Sequence, residues 1–147
     1  MENSKPGLVL LAEDDENDVF LMRRAFHEAG LELAMIDVPN GEEAIKYLSG
    51  RGPYTDRDSY PLPALLLLDL KMPLLNGFEL LAWLQRQLDL RTLPAVVLSS
   101  SGFDFDIQRA LQLGARDYMV KPQTHNGLVK LVRQINSRWL HESIMLA

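Results

Sequence analysis

Four groups of polar residues interrupt the chain where short apolar runs end. Gly7 to Ala12 stops at Glu13-Asp14-Asp15, Ala64 to Leu68 stops at Asp69, Ala95 to Leu98 stops at Ser99, and Tyr118 to Val120 stops at Lys121-Pro122. Carboxylates brought within a few ångströms repel one another, by about 4 kcal/mol for a pair 4 Å apart at an effective dielectric near 20. A divalent cation relieves that repulsion. The donors on offer are hard oxygens, with no cysteine in the chain and no histidine beside the acids, which favours Mg²⁺ over Zn²⁺. Mg²⁺ held by a few carboxylates usually also meets a phosphate. A lysine and a hydroxyl at the same rim suit the remaining phosphate oxygens. One carboxylate on its own strand suits a nucleophile that forms an acyl phosphate.

These groups meet only if the apolar runs lie side by side, so the elements matter. Continuous short apolar runs read as strands buried on both faces, the kind found in parallel sheets. Five are visible: Gly7–Ala12, Leu33–Val38, Ala64–Leu68, Ala95–Leu98 and Tyr118–Val120. Helical spacing follows each one. Val19, Met22, Phe26 and Ala29 precede a stop at Gly30, and Ala44, Ile45 and Leu48 mark a short helix from Gly41. Phe78, Leu81, Leu84 and Leu88 follow Asn76-Gly77, and Ile107, Ala110 and Leu111 run toward Gly114. Leu128, Leu131, Val132, Ile135 and Trp139 mark a long last helix. Ser49 to Pro63, rich in Gly, Pro and Tyr, reads as an unusually long loop. Strand and helix alternating five times predict an α/β fold, a five-stranded parallel sheet with helices on both faces. In such sheets ligands gather at the carboxyl ends of the strands, which is where all four polar groups fall.

Composition narrows the classes of function. With 147 residues the chain fits one domain with room for a proper core, and 47% hydrophobic against 24% charged residues excludes disorder as its main state. The net charge of −5 disfavours a surface that binds nucleic acid. Absence of cysteine excludes disulfides, thiolate metal sites and a cysteine nucleophile. No export signal is visible at the start, and the longest apolar stretch, Leu62 to Leu70, is far short of a membrane span. The expectation is a soluble, cytoplasmic protein.

The segments Leu10-Leu11-Ala12-Glu13-Asp14-Asp15, Leu67-Leu68-Asp69-Leu70-Lys71-Met72-Pro73-Leu74-Leu75-Asn76-Gly77, Pro94-Ala95-Val96-Val97-Leu98-Ser99 and Gly114-Ala115-Arg116-Asp117-Tyr118-Met119-Val120-Lys121-Pro122 resemble the four signature segments of CheY-like receiver domains, the response regulators of two-component signalling. Four motifs in order, each at a strand end, make the resemblance specific. It implies the flavodoxin-like strand order 2-1-3-4-5 and a receiver domain over 7–140 with short tails at 1–6 and 141–147. The long loop before the third strand looks most like stand-alone regulators that partner bacterial phytochromes.

The resemblance also implies roles. Asp69 is the expected phosphorylation site. Asp14, Asp69 and the backbone carbonyl of Lys71 would bind Mg²⁺ directly, and Glu13 through a water. Lys121 would pair with the phosphoryl group, Ser99 would hydrogen-bond it, and Tyr118 would be the switch aromatic. The Lys121–Pro122 peptide is expected to be cis. The donor would be a sensor histidine kinase. With no output module attached, output is expected by binding through the face from the fourth to the fifth helix, self-association included, without nucleic acid or membrane. Two alternatives stand beside this reading. One is a Mg²⁺-dependent phosphatase working through an aspartyl phosphate, which would want a general acid where Lys71 stands. The other is a receiver-like scaffold that works without phosphorylation, which would usually have lost the Asp–Asp–Lys set. Asp15 reads more simply as a helix cap, and Trp83, Trp139 and the three histidines as packing or surface residues.

Overall fold

In the computed structural model, residues 4–31 and 35–140 are described. Five parallel strands, β1 (Ser4–Ala12), β2 (Met35–Val38), β3 (Leu62–Leu68), β4 (Ala95–Ser99) and β5 (Asp117–Val120), form one sheet in the order β2-β1-β3-β4-β5. The crossovers are made by α1 (Glu16–Glu28), α2 (Gly41–Ser49), α3 (Gly77–Gln85) and α4 (Asp104–Gln112), and α5 (His125–Ile135) follows β5, running on into a π-helical turn over Asn136–Leu140.

Both faces of the sheet are buried, which explains why its strands read as continuous apolar runs. Leu10, Ala12, Leu66, Leu68, Ala95 and Val97 pack with Ala44, Leu48, Leu80 and Leu81 from α2 and α3. Their neighbours Val9, Leu11, Leu65, Leu67, Val96 and Leu98 pack with Val19, Met22 and Phe26 of α1 and Val129, Val132 and Ile135 of α5. The period-two alternation of strand side chains therefore feeds two cores, one on each side.

The helix starts carry their expected caps. Asp15 accepts from the backbone N–H groups of Asn17 and Asp18, Asn40 caps α2, and Asn76 forms a reciprocal capping box with Glu79. Four expectations change. The third helix stops at Gln85, so Leu88 lies in a separate 3-10 turn, 72% exposed, and Leu90 and Leu93 are buried in its place. In α4 only Ala110 is buried and Leu111 is exposed. The Ser49–Pro63 segment is folded, not a free loop. Its Tyr54 and Tyr60 rings pack against buried Tyr47, and the Arg57 guanidinium donates to the carbonyls of Tyr47, Leu48 and Tyr60, satisfying the open end of α2. Pro63 already belongs to β3.

The fourth change is at Lys121–Pro122. There is no cis peptide bond among the described residues, so this bond is trans, the form favoured by about 0.5–1 kcal/mol for an X–Pro bond. Leu33, His141 and the apolar tail Ile144-Met145-Leu146 lie outside the described residues. Among the described residues no helix is long and apolar enough to cross a membrane.

One close approach positions the rim. A Cβ built on Gly77 would lie 2.4 Å from the carbonyl oxygen of Asp69 and 2.8 Å from Leu70 Cα, while the Gly77 N–H donates to the Leu70 carbonyl. The start of α3 therefore sits directly on the exit of β3. Gly77→Ala is expected to lower stability by about 1–3 kcal/mol through overpacking, read as a lower urea midpoint; an unchanged midpoint would contradict this packing.

Candidate acidic site at the strand ends

The exits of the strands are tied together by backbone hydrogen bonds. Asp69 N–H donates to Ala12 O, Glu13 N–H to Val38 O, and Lys121 N–H to Ser99 O, at 3.0, 3.0 and 2.8 Å. These bonds place the polar residues that follow each strand on one rim. Carboxylate oxygens of Glu13, Asp14 and Asp69 lie within 4.8 Å of one another. Glu13 is buried, 5% exposed, Asp69 is half-buried, and Asp14 is exposed.

The Lys121 ammonium enters this group from β5. Its Nζ donates to Glu13 Oε1 at 2.6 Å, to Asp18 Oδ2 at 2.8 Å and to Asp69 Oδ2 at 3.2 Å. One cation therefore faces three carboxylates, none of them fully solvated. The electrostatics follow. Burial pushes the Glu13 carboxyl up to about 7; the negative charge of Asp69 adds to the rise, and the hydrogen bond and charge of Lys121 only partly oppose it. Burial on its own would lower Lys121, but the hydrogen bonds to Asp18 and Glu13 and the charges of Asp69 and Glu13 prevail, so its ammonium is held above the usual lysine range.

Beyond Asp14 the rim opens into a cleft lined by Lys71, Asn76, Phe78, Ser99, Ser101 and Asp106. Ser99 is 2% exposed, and its Oγ accepts from the Ser101 N–H at 3.1 Å. The Tyr118 hydroxyl donates to the Ser101 carbonyl at 2.7 Å, and the Ser101 hydroxyl to Asp106 at 2.6 Å. Tyr118 is thus linked to Ser99 through one short segment of backbone.

Asp14, Asp69, Glu13, Lys121, Ser99 and Lys71 all lie at this rim, as their places in the sequence predict, and Tyr118 sits one step behind it. Asp18 was missed. An acid in the first turn of a helix reads as a partner of the helix dipole, yet that turn of α1 lies over the rim and brings Asp18 to Lys121. The signal was available: a helix beginning at Glu16, straight after Asp14-Asp15, leaves its third residue within one turn of the strand end.

The rim can hold a divalent cation on carboxylate oxygens and keeps the Lys121 ammonium beside Asp69. Comparison with known proteins agrees with this chemistry. The model of the response regulator receiver domain matches residues 9–133. Response regulator Rcp1 of Synechocystis sp. is 32% identical over 139 residues, 95% of this chain and 92% of that protein. The solved structure of the Mn²⁺-bound form of response regulator Rcp1 has a TM-score of 0.81 and covers 97% of this chain and 100% of its own. Response regulator RPA3017, from red light signalling in R. palustris, has a TM-score of 0.87 at 31% identity, covering 95% of this chain and 99% of that one. The phosphorylated cyanobacterial phytochrome response regulator RcpA has a TM-score of 0.84 at 29% identity, covering 97% and 100%.

The raised Glu13 value has a consequence for stability. Well below 4.5 the carboxyl is neutral in the folded and unfolded chains alike. Between 4.5 and about 7 the unfolded chain ionises first, so the metal-free protein loses stability as pH rises through that window. Glu13→Gln removes this slope. In EDTA the variant is expected to melt above wild type at pH 8, by an amount corresponding to about 1–3 kcal/mol, and to converge with it toward pH 5. A variant less stable at pH 8 than at pH 5, relative to wild type, would contradict the burial account.

Proposed function

The chain belongs to the response regulator receiver domain family, whose members are phosphoacceptor signalling domains and not classical enzymes, and from that premise we propose that Asp69 accepts a phosphoryl group from a sensor histidine kinase and that the event switches a binding surface. The acidic cluster of Glu13, Asp14 and Asp69 is the observation that carries this reading.

The donor set fits a divalent metal: carboxylate oxygens from β1 and β3 converge, with no sulfur or imidazole among them. The Mn²⁺-bound form of Rcp1 supports the same chemistry. Asp14, Asp69 and the Lys71 carbonyl would hold Mg²⁺ directly and Glu13 through a water. When bound, the ion supplies positive charge beside the phosphoacceptor.

The side chains of the chain itself do the rest. An Asp69 carboxylate oxygen attacks the phosphorus of the phosphohistidine in line. The new O–P bond forms as the P–N bond breaks, and the imidazole leaves with the bonding pair. Lys121, already 3.2 Å from Asp69, neutralises charge on the phosphoryl oxygens. Ser99 receives a hydrogen bond from Ser101 N–H and keeps its own hydroxyl hydrogen to donate to the phosphoryl group. As Ser99 moves, the Ser101 carbonyl moves with it, and Tyr118, bonded to that carbonyl, follows. The change biases a two-state equilibrium of the α4–β5 face.

That face supports an output by binding. Phe103 and Phe105 are 75% and 72% exposed, and Leu111 and Val120 are exposed beside them. The surface from α4 to α5 is therefore the proposed contact for a downstream protein or for a second copy of the chain. The resemblance to RPA3017 and RcpA supports a phytochrome as the kinase. A receiver domain over 7–140 and a cytoplasmic location belong to the same reading.

Incubation with Mg²⁺ and acetyl phosphate is expected to add one phosphoryl group, read by intact-mass spectrometry, and Asp69→Ala is expected to take none. Label persisting in Asp69→Ala would overturn the assignment of the phosphoacceptor.

A further inference from the structure

The assigned roles leave one feature of the rim unexplained. Lys121 is closer to Asp18, at 2.8 Å, than to the proposed phosphoacceptor Asp69, at 3.2 Å. Asp18 belongs to neither the strand ends nor the carboxylate cluster that fits a metal. It stands on α1 and lines the same small cavity as Glu13, Asp69 and Lys121, a cavity that continues past Leu21 and Leu128. Its side chain is 36% exposed, so its pairing with Lys121 contributes only modestly to folding. The pair nevertheless determines where the ammonium points.

We propose that Asp18 is a positioning residue that restrains Lys121 in the unphosphorylated protein and competes with the phosphoryl group for its ammonium. The inference rests on Asp69 being the phosphoacceptor. The reasoning is electrostatic. A lysine ammonium has three N–H donors, and here Glu13, Asp18 and Asp69 take all three. Phosphorylation brings new anionic oxygens onto Asp69, and for Lys121 to bond them it must give up one of the present acceptors. Glu13 is buried and, at 2.6 Å, holds the shortest of the three bonds, while Asp69 is the group being modified. Asp18, partly exposed and carried on a helix, is the acceptor released at least cost, because water can solvate the carboxylate left behind. Each phosphorylation event therefore breaks the link between Lys121 and α1. The kinase-independent barrier to phosphorylation contains the strength of that link, and α1 senses the state of the site.

Removal of the competitor should favour the phosphorylated form. In Asp18→Asn, phosphorylation by acetyl phosphate and affinity for the phosphoryl analogue trifluoroberyllate, both with saturating Mg²⁺, are expected to rise about two- to five-fold. Asp18→Glu is expected to stay close to wild type. Two controls isolate the cause. Glu16→Gln removes a charge from the same exposed turn, and is expected to give a smaller gain, since it leaves the bonds of Lys121 in place. In a Lys121→Met background, Asp18→Asn is expected to change neither quantity, because its effect passes through the ammonium. A purely structural role would move the melting temperature and not the analogue affinity. Unchanged or weaker trifluoroberyllate binding in Asp18→Asn, or an equal gain in the Lys121→Met background, would overturn the proposal. Failure of wild type to take the label, or label retained in Asp69→Ala, would instead overturn the phosphoacceptor reading on which it rests.

Discussion

One ammonium among carboxylates governs the polar end of this molecule. The Lys121 Nζ bridges Glu13 after β1, Asp69 after β3 and Asp18 on α1, and so links four separate elements at a single atom. Without a cation these acids repel, and Glu13 cannot escape into water because it is buried. Removing Lys121 would leave the Glu13 carboxylate buried without its cation, which costs far more than a surface ion pair is worth. The site is therefore built under tension: Lys121 neutralises part of the negative charge, and the part left over suits a divalent ion and a phosphoryl group in combination.

The fold exists, in effect, to hold that arrangement. Backbone bonds between neighbouring strand exits fix the heights at which Glu13, Asp69 and Lys121 emerge. Cores on both faces of the sheet keep the strands in register. Gly77 lets α3 sit against the Asp69 carbonyl, so Asp69, the proposed phosphoacceptor, is backed by packed structure, not by a free loop. The proposed switch path is shorter: Ser99 to Ser101 by one hydrogen bond, and Ser101 to Tyr118 by another. It ends beside the exposed phenylalanines at the start of α4, which is the least buried of the helices that cross over the sheet.

Much of this could be read from residue types. Strands buried on two faces have no polar alternation to confuse the reading, and the residue that breaks each run is the one that reaches the rim, so Asp69, Ser99 and Lys121 were legible. Other parts were not. Leu88 keeps helical spacing with Leu84, but the chain turns after Gln85, and spacing does not record where a helix stops. Leu111 has the right period but lies on the exposed flank of a helix that buries a single alanine. The order in Ser49–Pro63 comes from a guanidinium meeting three carbonyls and from tyrosines separated in sequence, neither of which has a periodic signature. Asp18 was masked for a different reason: its type suits its place in the first turn of α1, and only the start of that helix at Glu16, one turn from the end of β1, marks its reach to the rim.

The central claim is that Lys121 and a divalent ion neutralise the same crowded acids. Melting of wild type and Lys121→Met at pH 8, each in EDTA and in saturating Mg²⁺, tests it most directly, since a ligand that binds only the folded state raises the melting temperature. In EDTA the variant should melt below wild type, and Mg²⁺ should recover much of the loss, giving a larger Mg²⁺-induced rise in the variant than in wild type. Equal rises, or no rise in either protein, would contradict the account.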